Sequence, residues 1–147
     1  MFQNLRVKQF FLLYSFTTLL FAQNTLEHPE PAYIKTVIFG KPGETLQFPL
    51  VRLDEFFQLQ FDDLNADERN YYYKIKYFNH DWTPSNLFQN EYMRGFDNLR
   101  IENYQTSFNT LQPYTHYQLQ LPNEQTQFLL SGNYMIEVYN EADEIVF

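Results

Sequence analysis

The chain has 147 residues, and its 18 acidic and 10 basic side chains give a formal net charge of −8. This balance argues against nucleic acid and anionic lipid surfaces as partners, because both attract basic patches and the sequence has none. The absence of cysteine excludes a disulfide framework, a thiol nucleophile, a thiolate zinc site and a lipid anchor on cysteine. An apolar core must therefore stabilise the fold alone, and 16 Phe and 12 Tyr residues make this feasible.

The N-terminus has the pattern of a secretory signal peptide. Arg6 and Lys8 form a basic start, residues 10–22 are uncharged and mostly apolar, and Ala22 is a small residue before a cleavage site. A membrane anchor is the rival interpretation, but these 13 residues are too few to cross about 30 Å of hydrocarbon as a helix. We therefore predict a signal peptide at residues 1–22.

The rest of the chain divides into two parts. Residues 23–32 are polar and carry Pro29 and Pro31, which predicts a flexible lead-in. Residues 33–147 form the predicted folded domain. Loss of the two basic residues of the signal peptide changes the net charge from −8 to −10.

Short segments that are β-branched and aromatic, or that alternate apolar and polar residues, indicate β-strands in the domain. The predicted strands are residues 33–39, 45–48, 57–61, 71–78, 103–108, 114–121, 133–139 and 144–147. Turn formers such as Gly40–Gly43 and Ser131–Gly132 separate them. This spacing predicts an all-β, immunoglobulin- or fibronectin-III-like sandwich of about 7–8 antiparallel strands. The strand at 57–61 is also a candidate edge for the addition of a partner's strand.

The segment 111–117 has the pattern of a tyrosine corner, in which a tyrosine hydroxyl bonds a nearby backbone group. We expect Leu111 to pack in the core, Pro113 to stiffen the turn, and Tyr117 to make the corner bond. Tyr134, which follows the turn at Ser131–Gly132, is an equally good candidate for the corner tyrosine. Both assignments stay open.

The segment Asp63-x-Asn65-x-Asp67 has the first three ligand positions of a calcium-binding loop. Glu68 stands where the loop requires glycine, and Lys74 stands where it requires glutamate. We therefore favour a solvated acidic hairpin loop over a calcium site. No metal or cofactor is assigned.

The sequence offers little for catalysis. His28 lies in the lead-in, and His116 is predicted on the surface of a strand. His80 and Asp81 are adjacent, and neighbouring residues rarely orient each other as an acid–base pair needs. Nucleophile-elbow, phosphate-loop and zinc-protease motifs are all missing. We predict a protein that is not an enzyme.

Aromatic side chains concentrate in the middle of the chain. They are Tyr71–Tyr73, Trp82, Phe88, Tyr92 and Phe96. One hypothesis is a platform on which sugar rings stack, which would make the protein a carbohydrate-binding or adhesion module. The other, which we favour, is a core with a covering loop, because a sandwich without cysteine must bury its aromatics.

Eight phrases along the chain resemble the N-terminal domain of the type IX secretion system plug protein, a family of Bacteroidota. They are Tyr33–Val37, Phe48–Leu53, Phe61–Leu64, Asn70–Tyr73, Asp81–Ser85, Glu91–Phe96, Ser107–Tyr117 and Leu130–Tyr134. Each phrase is weak alone, but their shared order makes chance a poor explanation. The resemblance extends from about Tyr33 to Phe147.

The resemblance implies a periplasmic, non-enzymatic sandwich that binds the outer-membrane translocon barrel and closes its periplasmic end. It supplies no catalytic residues. The candidate contact loops, chosen on polarity and irregularity, are Asp62–Arg69 and Asn79–Asn98. Because family members have several domains and Ile145–Phe147 starts an apolar strand, we expect this chain to be the first domain of a longer protein, cut near its end.

Overall fold

The computed structural model describes residues 27–43 and 49–147, so the predicted signal peptide and the predicted strand at 45–48 lie outside the described residues. Within the described ranges the chain forms nine strands and one helical turn. In chain order they are β1 (Ile34–Gly40), β2 (Phe57–Asp63), β3 (Tyr72–Phe78), α1 (Gln89–Tyr92), β4 (Met93–Gly95), β5 (Leu99–Arg100), β6 (Asn103–Thr106), β7 (Thr115–Leu121), β8 (Thr126–Phe128) and β9 (Asn133–Tyr139).

The strands form three antiparallel sheets. The largest has the order β1-β2-β7-β6, the second has the order β5-β3-β9, and β4 pairs with β8 in a two-stranded ribbon. Strands β2 and β7 are in register from Phe57↔Leu121 to Asp63↔Thr115. Strands β3 and β9 are in register from Tyr72↔Tyr139 to Phe78↔Asn133.

The core follows from the alternation of side chains along these long strands. In β2 the side chains of Phe57, Leu59 and Phe61 are buried, and the cross-strand partners of the last two, Leu119 and Tyr117, are buried beside them. The second sheet contributes buried side chains from β3 and β9 to the same cluster. The prediction of an all-β antiparallel sandwich is confirmed, and the immunoglobulin-like assignment stays a prediction.

Four aromatic rings meet at the centre of this core. Phe61 stacks on Tyr117 with centroids 5.1 Å apart and an interplanar angle of 9°. Tyr71 and Phe147 each approach Phe61 edge-on at 5.2 Å. Such edge-to-face and offset contacts suit the ring quadrupoles and add to the energy of burial.

Two predictions about individual strands were wrong, and two short strands were not predicted. The segment 57–61 is not an edge, because β1 and β7 flank β2 on both sides. The region 79–98, predicted to be irregular, contains α1 and β4, and the strands that were not predicted are β5 and β8. The segment 144–147 pairs with β9 only through the bridge Tyr139↔Ile145 and its neighbouring backbone bonds. Alternation reveals which face of a strand is buried, but it does not reveal how many neighbours the strand has.

The structure decides between the two corner tyrosines in favour of Tyr134. Its hydroxyl donates to the carbonyl of Leu130, four residues upstream, at 2.7 Å. The hydroxyl of Tyr117 instead bonds the backbone of Arg69, which lies 48 residues away. Leu111, expected in the core, is fully exposed, because it lies in the connection between β6 and β7, which extends beyond the sheets.

Alkaline pH should destabilise this sandwich. Burial raises the pKa of Tyr117 and of Tyr134 from 10.0 to about 12. Unfolded tyrosines ionise near pH 10 while these two stay neutral, so the stability linked to them is complete below pH 10 and is lost as pH rises to about 12. For the fully buried Tyr117, we expect a loss of roughly 2 kcal/mol in unfolding free energy between pH 9 and pH 11.5. Urea unfolding at the two values measures it.

The control for this experiment is Tyr117→Phe. The variant lacks the ionisable group, so its unfolding free energy should fall less steeply over the same pH interval than that of the unchanged protein. Equal pH dependence of the two proteins would show that the pKa of Tyr117 does not differ between the folded and unfolded states.

Candidate interaction surfaces

The connection between β2 and β3, which we call the acidic loop (Asp62–Asn70), is built around a buried carboxyl group. Asp63 has no exposed surface. Its Oδ1 accepts hydrogen bonds from the backbone N–H and the side-chain Nδ2 of Asn65, at 2.9 and 2.8 Å. Its Oδ2 accepts one from the hydroxyl of Tyr71 at 2.8 Å. Asp63 therefore holds the turn together, and the expectation that this part of the loop is solvated was wrong.

The other predicted calcium ligands do not join Asp63 around a common point. The side chain of Asp67 is 71% exposed, and its carboxyl lies 3.6 Å from Nη2 of Arg69. Over residues 27–43 and 49–147, no group of three or more histidine or acidic side chains is placed to hold a metal ion. The loop's carboxyl groups are used for turns and ion pairs.

Side chains of β7 and of the connection that precedes it form hydrogen bonds with the backbone of the acidic loop. The hydroxyl of Tyr117 accepts from the N–H of Arg69 at 3.0 Å and donates to the carbonyl of the same residue at 2.9 Å. The hydroxyl of Thr115 donates to the carbonyl of Asp67, and Nε2 of Gln112 donates to the carbonyl of Leu64, both at 3.3 Å. The loop is therefore held in one conformation.

Residues 107–114 connect β6 to β7 and form what we call the hairpin tip. Its two ends are tied because the N–H of Ser107 donates to the carbonyl of Tyr114 at 2.8 Å, and Oγ of Ser107 accepts from the N–H of Tyr114 at 2.9 Å. Across the turn, Oγ1 of Thr110 donates to the carbonyl of Gln112 at 3.0 Å. Asn109 adopts a left-handed backbone conformation, with φ 56°. These bonds define the tip's shape without any packing against a sheet.

The hairpin tip exposes two large apolar side chains. Phe108 is 94% exposed and Leu111 is 108% exposed. Sequence reasoning missed this surface because the pattern of 111–117 favoured a core position for Leu111. The available signal was the set of turn formers Ser107, Asn109 and Pro113 between two strands, since side chains at a hairpin connection have no second sheet above them.

The aromatic middle of the chain divides between core and surface. Tyr71, Tyr73 and Tyr92 are buried, as the core interpretation predicted, but Trp82, Phe88 and Phe96 are exposed. The ring of Trp82 is 52% exposed and lies 6.1 Å from the ring of Phe78. A sugar platform that includes the three buried tyrosines is therefore wrong, and stacking of a sugar on Trp82 alone stays a prediction.

The predicted histidines are not brought together. His28 and His80 are exposed. Asp81 does not orient His80, because hydrogen bonds from the N–H and hydroxyl of Thr83 hold its carboxylate and keep its pKa below the usual value. His116 is not an open surface residue: its side chain is 26% exposed, and Nδ1 lies 2.6 Å from Oδ1 of Asp62.

The acidic loop and the hairpin tip lie at the same end of the large sheet. The end of β2 pairs with the start of β7 through Asp63↔Thr115, and the end of β6 pairs with the same residue through Thr106↔Thr115. The turn 140–144 joins this end through a hydrogen bond from Asn70 to Glu141. We call these three segments together the acidic end, because they carry the exposed carboxyl groups of Asp67, Glu68, Glu141, Asp143 and Glu144.

Within residues 27–43 and 49–147, no helix is long and apolar enough to cross a bilayer.

Comparison with known proteins confirms the resemblance stated above. The protein family described as type 9 secretion system plug protein 1st domain matches residues 34–147. A crystal structure of a hypothetical protein from Parabacteroides merdae ATCC 43184 is similar, with a TM-score of 0.76 and 38% identity over 80% of this chain. This chain spans 31% of that protein's chain. No curated protein matches it.

The family match covers the whole sandwich, from the first residue of β1 to the last described residue. The solved structure agrees in fold, with a TM-score of 0.76, and is 38% identical over the matched part. This chain belongs to the family of first domains of type IX secretion system plug proteins.

Proposed function

We propose that this protein is a non-enzymatic, periplasmic part of type IX secretion and acts in the plug that closes the periplasmic end of the outer-membrane translocon barrel. Its family membership gives it a role in this secretion system and an envelope location. The observation that carries the finer proposal is the acidic end: a rigid sandwich holds hydrogen-bonded loops there, with apolar side chains on the outside. A plug needs such a preformed surface.

The buried polar side chains all make structural hydrogen bonds, which supports a binding role rather than catalysis. Four of them lie in the described core: Asp63, Thr115, Thr126 and Glu137. Each has a structural partner. Thr126 bonds the hydroxyl of Tyr73 at 2.9 Å, and Glu137 bonds the ammonium of Lys76 at 2.7 Å. Asp63 and Thr115 fix the acidic loop, as described above. These bonds satisfy the polar groups of the four side chains, as the burial of polar groups requires.

Export to the periplasm is part of the proposal. The basic start and apolar stretch of residues 1–22 support it. The partner we propose is the translocon barrel itself, bound through protein–protein contacts.

Affinity purification from the native cell tests the function. The tagged full-length protein should co-purify with the outer-membrane barrel, and deletion of its gene should raise the permeability of the outer membrane to a large hydrophilic dye. Deletion of the barrel gene together with it should restore the low permeability. Recovery of the tagged protein only as a free periplasmic monomer, with the barrel intact, would refute the proposal.

A further inference from the structure

We propose that the hairpin tip is the anchor of this domain, with Phe108 and Leu111 entering an apolar pocket on a protein partner whose rim carries basic side chains. The identity of the partner as the translocon barrel rests on the proposed function. The anchor itself is argued from the surface of this chain alone.

Exposure distinguishes these two side chains from ordinary surface apolar residues. Single exposed leucines are common and need no explanation. Phe108 and Leu111, however, are the most exposed large apolar side chains of residues 27–43 and 49–147, and they lie three positions apart on one short turn. Other large apolar side chains are exposed as well, up to 77% for Phe88, but none reaches the exposure of these two. We therefore expect Phe108 and Leu111 to become buried when a partner binds.

The tip is prepared for binding because its backbone is already ordered. Bonds between Ser107 and Tyr114 close its base, Thr110 bonds the carbonyl of Gln112 across the turn, and Gln112 ties the tip to Leu64 of the acidic loop. Binding therefore costs little loop entropy, and an aromatic anchor in a pocket contributes fully to affinity. Unfolded or mobile apolar loops do not have this advantage.

Charge indicates what surrounds the pocket. Residues 103–115 contain no charged side chain, whereas the adjacent segment 62–69 has four acidic residues and one arginine. The side chain of Asp67 is 71% exposed, and Glu68 is exposed beside it. Because complementary potentials steer association and select partners, the matching surface must be apolar at its centre and basic at its rim.

The same charges disfavour a lipid bilayer as the occupant. Segments that insert apolar side chains into anionic membranes carry lysine or arginine next to them. The hairpin tip has none, and the acidic loop would be repelled by anionic headgroups. A protein pocket is the better match.

Affinity for the purified, detergent-solubilised barrel tests the anchor. We expect Phe108→Ser with Leu111→Ser to weaken binding by at least about 30-fold, because each is expected to act as a hot spot. The matched control is Leu50→Ser with Phe56→Ser, which removes two side chains that are 70% and 53% exposed and that precede Phe57, at the end of β2 opposite Asp63. The control should change affinity by less than about 3-fold. Both variants should keep the unchanged protein's melting temperature, because no buried group is removed.

Equal affinity of the tip variant and the unchanged protein would overturn the anchor while leaving the plug function standing. The basic rim has its own test: Asp67→Asn with Glu68→Gln should reduce the loss of affinity that added salt causes. No change in salt dependence would contradict the charged rim.

Photo-crosslinking in the native cell separates the two proposals. A photoreactive phenylalanine analogue is placed at position 108 or at position 88, which lies in the other candidate contact loop, Asn79–Asn98. Crosslinks to the barrel from 108 only would support both proposals. Crosslinks to the barrel from 88 only would overturn the anchor. Crosslinks from 108 to a second copy of this chain, or flotation of the protein with anionic vesicles that needs Phe108 and Leu111, would also overturn it.

Discussion

Replacement of Phe61 by alanine should lower the free energy of unfolding by about 3–5 kcal/mol. The side chain has no exposed surface and contacts the rings of Tyr71, Tyr117 and Phe147, all with centroids within 5.2 Å. Alanine leaves a cavity that these rings cannot fill, because each is also held by its own strand or hydrogen bond. Urea unfolding followed by tyrosine and tryptophan fluorescence measures the loss.

Two controls bracket this prediction. Phe61→Leu keeps most of the volume, so it should cost only about 1–1.5 kcal/mol. Phe108→Ala removes the same kind of side chain from a position that is 94% exposed, so stability should change by less than about 0.5 kcal/mol. A Phe61→Ala protein as stable as Phe108→Ala would show that the aromatic cluster does not stabilise the fold.

Replacement of Asp63 by alanine should cost roughly 2–4 kcal/mol, the second largest effect. The change removes the acceptor of the buried Tyr71 hydroxyl and both bonds that hold Asn65. A double-mutant cycle with Tyr71→Phe isolates the bond between the two side chains. We expect a coupling of about 1 kcal/mol or more, because the residues are in direct contact.

The matched control for Asp63 is Asp67→Ala, which lies in the same loop but has a side chain that is 71% exposed. Its effect should stay below about 0.5 kcal/mol. Millimolar calcium should leave the melting temperature of the unchanged protein where it is, because the oxygens of Asp63 are already occupied by donors. A rise in melting temperature that disappears in Asp63→Ala would establish the calcium site that the spacing first suggested.

The core and the acidic end share a side chain. The ring of Tyr117 stacks on Phe61 in the centre of the core, while its hydroxyl clamps the backbone of Arg69 in the acidic loop. The loop in turn contacts the hairpin tip through Gln112. Packing in the core therefore also holds the proposed binding surface in place. For this reason, core variants should weaken partner binding as well as lower the stability of the fold.

The sequence by itself determined the longer strands and their buried faces. The alternation of Phe57 to Phe61 and the run of Tyr71 to Phe78 predicted two of the longest strands, and their inward side chains are the core. This succeeds because alternation is a local property of an extended chain. The shared phrases also determined the family, and with it the class of function.

Only the tertiary structure decided which strands lie at an edge, which tyrosine forms the corner, and that Asp63 is buried while Leu111 is exposed. Tyr117 bonds a residue 48 positions away, Asp63 lies between its pairing partners Ile34 of β1 and Thr115 of β7, and Leu111 is exposed in the hairpin tip. Each outcome depends on segments that are distant along the chain. Composition and spacing within a short window carry no information about such pairings. The exposure of Phe108 and Leu111, on which the proposed anchor rests, could therefore not be predicted from the sequence.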